Sequence, residues 1–137
     1  MKIYYWSPFF TNIATIKAVI KSAESLVKFS KEKKYDVSII DAIGEWNPYD
    51  KIINKKINII KLNKINLGKY LPKNSFIKSR FSYIFIFFLN FFKLKNLINK
   101  ERPNFLIIHL MTSLPIFLSL FFNKETKIIL RISGLPK

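Results

Sequence analysis

The stretch Lys2–Asp41, "KIYYWSPFFTNIATIKAVIKSAESLVKFSKEKKYDVSIID", carries two hydrophobic periods in succession. Lys2–Trp6 is a β-rich run, and it stops at Ser7-Pro8 because proline gives no donor to a strand ladder. Ile13, Ile16, Ile20, Ala23 and Val27 then recur at steps of three and four, with Val19 and Leu26 widening the stripe, which predicts a helix with one apolar face. Thr11 or Asn12 is placed to cap its free N–H groups, and Lys28, Lys31, Lys33 and Lys34 crowd the end where cations suit the helix dipole. Asp36–Asp41, "DVSIID", reads as a second strand. Strand, helix and strand make a βαβ unit, whose strands are parallel and whose crossover is right-handed.

The same alternation runs outward from that unit. Ala42–Asp50 holds Gly44 and Pro48 and reads as a loop, Lys56–Leu62 as a third strand, and Asn63–Ser75 as irregular. Phe76–Asn99 predicts a long aromatic helix, with Pro103 helping to end it. Phe105–His109, "FLIIH", has the continuous apolar character of a strand buried on both faces. Thr112–Asn123 is a short apolar helix with Pro115 in its first turn, and Thr126–Ile132 is a fifth strand. Five strands alternating with three helices predict an α/β domain over residues 1–137: a doubly wound, mainly parallel, Rossmann-like sheet with helices on both faces. A strand of this kind is normally followed by a covering helix. The sheet is therefore expected to be incomplete at its C-terminus, and the chain to be the first part of a longer protein.

Half of the 137 residues are hydrophobic and Phe reaches 14 against 3 Gly, so disorder is excluded as a description of this chain. The net charge of +16 comes from 24 basic and 8 acidic residues. Part of it reflects the Lys, Ile, Asn and Phe bias of stretches such as Lys51–Asn66, as AT-rich coding produces; the remainder points to an anionic neighbour, either a membrane surface or a substrate. Nucleic acid is disfavoured, because Arg is confined to Arg80, Arg102 and Arg131 and the aromatics sit in apolar blocks rather than among the lysines. The absence of Cys excludes disulfides, thiol catalysis and cysteine-ligated metals. The sequence has no G-x-G-x-x-G after its first strand, no P-loop, no nucleophile elbow and no His/Cys/Glu cluster for a metal. The N-terminus lacks the pattern of a secretory signal.

The run Phe81–Phe92, "FSYIFIFFLNFF", contains Ser82 and Asn90 and is bracketed by Lys78 and Arg80 before it and Lys93 and Lys95 after it. As a helix it is about 18 Å long against a hydrocarbon core of about 30 Å, too short to span. Its first expectation is a buried core helix. Its second is a helix lying partly in a lipid interface, with Lys78, Arg80, Lys93 and Lys95 at the anionic head groups, and its third is a true span.

In an open parallel sheet, ligands bind outside the carboxyl ends of the strands. That rule selects the loop from Ser7 to Asn12, the loop Asp41–Trp46, the segment from His109 to Ser113, and Ser133-Gly134. His109 is the single histidine, and it ends a strand; its alternatives are a ligand contact and a structural role. Trp46 is either a stacking face for a sugar ring or a loop anchor, and Glu45 stands beside it. Asp41 occupies the place of a ribose-binding acid, but without the glycine fingerprint a dinucleotide site is rejected.

Taken in order, "KIYYWSPFFTNIATIKAVIKSAESLVKF", "YDVSIIDAIGEW", "NFLIIHLMTSLPIFLSL" and "KIILRISGLPK" resemble the N-terminal domain of GT-B fold glycosyltransferases of the retaining family 4, or group 1. The resemblance covers most of the chain apart from Asn47–Ser75. It implies a cytoplasmic hexosyltransferase of polysaccharide or lipopolysaccharide biosynthesis in the cell envelope, peripheral on the inner face of the plasma membrane. It implies that this half holds a glycan or lipid-linked acceptor, that a separate half binds the nucleotide-sugar donor, and that no metal or other cofactor is required. The loop with Phe9, Thr11, Asn12 and Ile13 would then lie by the donor phosphates, and Glu45, Trp46, His109, Ser133 and Gly134 would be the acceptor-side candidates. Thr11-Asn12 stands where many relatives have paired glycines, and no His follows the last strand, so the resemblance assigns no catalytic residue and the chain alone is expected to be inactive. The alternatives are a stand-alone basic module for membrane or nucleic acid, and a non-functional gene remnant.

Overall fold

The computed structural model describes residues 1–9, 14–29, 34–72, 76–109, 114–122 and 125–131. Five parallel strands form one sheet: β1 (Lys2–Trp6), β2 (Asp36–Asp41), β3 (Ile57–Lys61), β4 (Phe105–His109) and β5 (Lys127–Arg131), in the order β3-β2-β1-β4-β5. Among the described residues three helices accompany them: α1 (Ala14–Lys28), α2 (Phe76–Glu101) and α3 (Leu114–Leu118), the last running into a 3-10 turn at Ser119–Phe121. The predicted α/β doubly wound sheet is therefore present. One alternation differs: β2 passes to β3 through a loop with a 3-10 turn at Asn47–Tyr49 and no α-helix, because Pro48 and the short span leave room for a single turn only.

The sheet has a core on each face, as strand alternation requires. Ile3, Tyr5, Val37 and Ile39 point toward α1, where Ile16, Val19, Ile20 and Ala23 are buried. Those four lie on the stripe that predicted the helix. Tyr4, Trp6, Leu106 and Ile108 point to the other face, where Ile86, Leu94 and Ile98 of α2 and Leu118 of α3 meet them. α2 ends through Arg102, whose N–H donates to Ile98 O at 2.9 Å and whose φ of 45° is the left-handed turn that closes a helix before Pro103.

α2 corrects the length argument made from Phe81–Phe92. The helix has 26 residues, about 39 Å at the usual rise, and its segment Arg80–Glu101 is long and apolar enough to cross a membrane. One side of it packs on the sheet, however, and the expected burial is met on that side alone. Phe81, Ile84, Phe85, Phe88 and Phe92, spaced at three and four, are exposed.

Candidate functional site

The strand order reverses between β1 and β4: the chain leaves β1 leftward to β2 and β3, then crosses back to β4 and β5. Two central strands thus end side by side at a topological switch point, where open α/β sheets bind ligands. Ser7 follows β1 and His109 ends β4. Both are buried, and neither Ser7 Oγ nor His109 Nε2 has a hydrogen-bond partner among the described residues. Buried polar atoms are normally paired, so such an atom at a switch point marks a place where a ligand hydroxyl can complete the bonding.

The His109 ring lies over Tyr5 with 6.4 Å between centroids and 29° between planes, and Arg131 is its register partner on β5. Burial first, and the Arg131 charge second, pull the His109 pKa down to about 4. The imidazole is therefore neutral at pH 7, with one donor and one acceptor nitrogen. The sign of the linkage follows. An unfolded His gains its proton near pH 6.5, whereas the folded one waits until about 4, so this residue withdraws stability as pH falls through that window. Urea unfolding of the wild type and of His109→Gln at several pH values checks this: the wild type's advantage over the variant is expected to shrink between pH 6.5 and 4. A constant difference would contradict it.

The loop after β2 is built around two carboxylates. Glu45 accepts from the N–H groups of Ala42 at 3.0 Å and Ile43 at 2.7 Å, and Asp41 accepts from Gly44 N–H at 2.6 Å. Burial, and then the neighbouring Asp41, push the Glu45 pKa well above the usual carboxylate range, so its carboxyl tends to keep its proton. Glu45 is thus spent on its own loop. Trp46 is 0% exposed and meets Phe9 edge-on at 5.0 Å and Tyr49 at 6.2 Å, while Phe9 also meets Tyr49 at 5.9 Å. Trp46 is packed here as a loop anchor would be, with no open face toward solvent among the described residues. Phe9 packs inward with it and does not line an open loop. Thr11, Asn12, Ile13, Ser133 and Gly134 lie outside the described residues.

One group at this edge escaped the sequence reading. Asn63, just past β3, donates from Nδ2 to Ala42 O at 2.5 Å and to Asn90 Oδ1 at 2.9 Å, and its own Oδ1 accepts from Lys93 Nζ. Asn90, 0% exposed, in turn donates to Ile86 O at 3.1 Å. The relay ties α2 to the loop after β2. Asn90 within an apolar helix was its only signal. Lys93 is thereby a partner of Asn63, Lys78 and Arg80 are exposed near the start of α2, and Lys95 lies over the Phe121 ring at 5.4 Å. All four basic residues belong to α2 and not to the switch point.

A groove of about 640 Å³ runs between α1 and the β4–β5 end of the sheet, lined among others by Tyr5, Lys21, Ser22, Ile107 and Arg131. Tyr5 and Arg131 connect it to His109, since one stacks on the ring and the other is its register partner. Tyr5 Oη and Ser22 Oγ share a hydrogen bond of 2.8 Å in its wall. Among the described residues no three His, Cys, Asp or Glu side chains converge in a way that would hold a metal ion. Comparison with models of protein families, with curated proteins and with solved structures finds no match to this chain.

Proposed function

We propose that this chain is the acceptor-side Rossmann-like domain of a glycosyltransferase, which presents a glycan or lipid-linked sugar to a nucleotide sugar held by a second α/β half. The observation that carries the reading is that Ser7 Oγ and His109 Nε2, on the two strand ends that flank the switch point, lack hydrogen-bond partners among the described residues. A hydroxyl and a neutral imidazole each donate and accept, which suits a ligand rich in hydroxyls better than an ion of fixed sign. The groove that reaches Tyr5 and Arg131 gives such a ligand a path along the sheet. The ordered resemblance of four segments to GT-B enzymes supplies the reaction class. Transfer of a hexosyl group needs no resident cofactor in this reading, and the protein works in the cytoplasm at the inner face of the membrane.

The test is calorimetric titration of the chain with hexose and N-acetylhexosamine disaccharides and, separately, with uridine and guanosine diphosphate sugars. At least one disaccharide is expected to bind, with affinity reduced about tenfold by Ser7→Ala with His109→Phe, roughly the loss of two neutral hydrogen bonds. No nucleotide sugar is expected to turn over. Turnover by this chain alone, or tight nucleotide binding with no saccharide binding, would overturn the assignment.

A further inference from the structure

The exposed side of α2 does not end at its own edge. Phe87 and Phe91 lie against Phe117 of α3 at 5.8 and 6.2 Å, and Phe91 also meets Phe121 at 6.3 Å. The two helices therefore join the outward stripe Phe81, Ile84, Phe85, Phe88 and Phe92 to the exposed Phe117, Leu120 and Phe121 in one apolar surface. Phe88 and Phe92 are each 69% exposed and Leu120 is 79% exposed. Exposed apolar surface of this continuity marks an interaction face and not ordinary scatter.

Its charges select the occupant. Lys78 and Arg80 precede the stripe, and Lys93, Lys95 and Lys100 follow it; the one acid of α2, Glu101, is paired with Lys2 at 3.0 Å. Both ends of the surface are thus basic. A second copy, laid parallel or antiparallel, would set basic ends against basic ends. An anionic head-group layer meets both ends with the opposite sign, while the rings enter the acyl boundary and the lysine stems reach back to the phosphates.

We propose that α2 and α3 together form a docking face for an anionic lipid surface, on which the domain lies flat. Ile86, Leu94 and Ile98 remain on the sheet, so α2 lies in the interface and does not cross it. The helix runs back along the parallel strands that it connects, which sets the strands along the lipid surface. The carboxyl edge then opens sideways, with His109 on the α1 face of the sheet, farther from the head groups than the ~10 Å diameter of α2. If the acceptor-side reading holds, a lipid-linked sugar reaches that edge without leaving the membrane; the docking itself is independent of that reading.

The experiment is co-sedimentation of the chain with vesicles of phosphatidylcholine alone and with vesicles that also carry phosphatidylglycerol, at physiological salt and with no sugar present. At least tenfold preference for the anionic vesicles is expected. Phe85→Glu with Phe88→Glu should remove at least nine tenths of the binding, and Lys95→Gln with Lys100→Gln should erase the preference. Because the chain has no Cys, Phe88→Cys and Lys56→Cys give single sites for an environment-sensitive dye. Blue-shifted emission on vesicles is expected at position 88 and none at 56, which keeps the test decisive if the double Glu variant fails to fold. Equal binding to both vesicle types, an unshifted dye at 88, or a dimer that Phe88→Ser dissociates would overturn the proposal. Disaccharide binding at the carboxyl edge would survive each of those outcomes, so the two readings fail separately.

Discussion

Gly44→Ala is expected to destabilise the domain by about 4 kcal/mol, from about 1–3 kcal/mol of left-handed strain and a similar cost for the steric clash. Gly44 turns the loop after β2 with φ of 87°, a conformation that L side chains rarely adopt. A Cβ there would stand 2.7 Å from Asn66 Cα and 2.9 Å from Asn66 Cβ, so the obstacle includes backbone and cannot rotate away. The two loops are also bonded, Gly68 N–H donating to Ile43 O at 3.2 Å, and displacing Asn66 strains that link. Gly68→Ala is the internal control. Its Cβ would meet the flexible end of Ile43, Cδ1, at 3.3 Å, and its expected cost is under about 1 kcal/mol. Urea unfolding of the two variants checks the contrast. Equal losses would mean that the loop does not hold the conformation described.

Trp46→Ala is expected to cost about 3–5 kcal/mol, the range for removing a large aromatic from a packed core. In a domain of this size that lowers the melting temperature by roughly 10–20 °C. The residue lies five positions beyond β2, in a loop, yet it is 0% exposed, and Phe9 from the loop after β1 closes on it at 5.0 Å. Trp46 thereby fixes the spacing of two carboxyl-end loops. Thermal unfolding followed by far-UV circular dichroism reads the effect without relying on tryptophan fluorescence. A variant that melts like the wild type but loses saccharide affinity would restore the stacking role that burial denies to this ring.

The parts of the fold that were legible share one property: their sequence periods differ from those of their neighbours. The stripe of Ile16, Val19, Ile20 and Ala23 has the period of a helix and emerged as the buried side of α1, and "FLIIH" had the unbroken apolar character of a central strand. β1, β2 and β4 took their predicted bounds, while β3 lost a residue at each end and β5 began one residue later than predicted, where ladders fray. α2 was harder because nearly all of its sides are apolar, so period alone does not tell the side facing the sheet from the side facing out. Measuring only Phe81–Phe92 also understated a helix that continues to Glu101.

At the site, position along the chain was informative and side-chain environment was not. The rule for open parallel sheets placed Ser7, Glu45, Trp46 and His109 at the carboxyl edge before any coordinates. What separates them is burial and bonding. Glu45 is consumed by the N–H groups of Ala42 and Ile43, and Trp46 by aromatic packing from another loop. Ser7 Oγ and His109 Nε2 lack hydrogen-bond partners among the described residues, as do Asp41 Oδ2 at the end of β2 and Trp46 Nε1 in the loop after it. Such distinctions depend on which loops meet in space, and Asn63, which joins three elements from a polar stretch without any motif, shows the same limit.

The claim at the centre of this account is that the switch point between β1 and β4 receives a sugar. Its most direct test is a two-dimensional NMR titration of the ¹⁵N-labelled chain with the disaccharides, following the backbone amides and the His109 ring nitrogens. The account predicts shifts that concentrate at Ser7, at His109 with its Nε2 signal, and at Tyr5 and Arg131 along the groove. Shifts confined to the amino edge around Lys2 and Asp36, or a His109 signal that stays unmoved while the sugar binds, would contradict it.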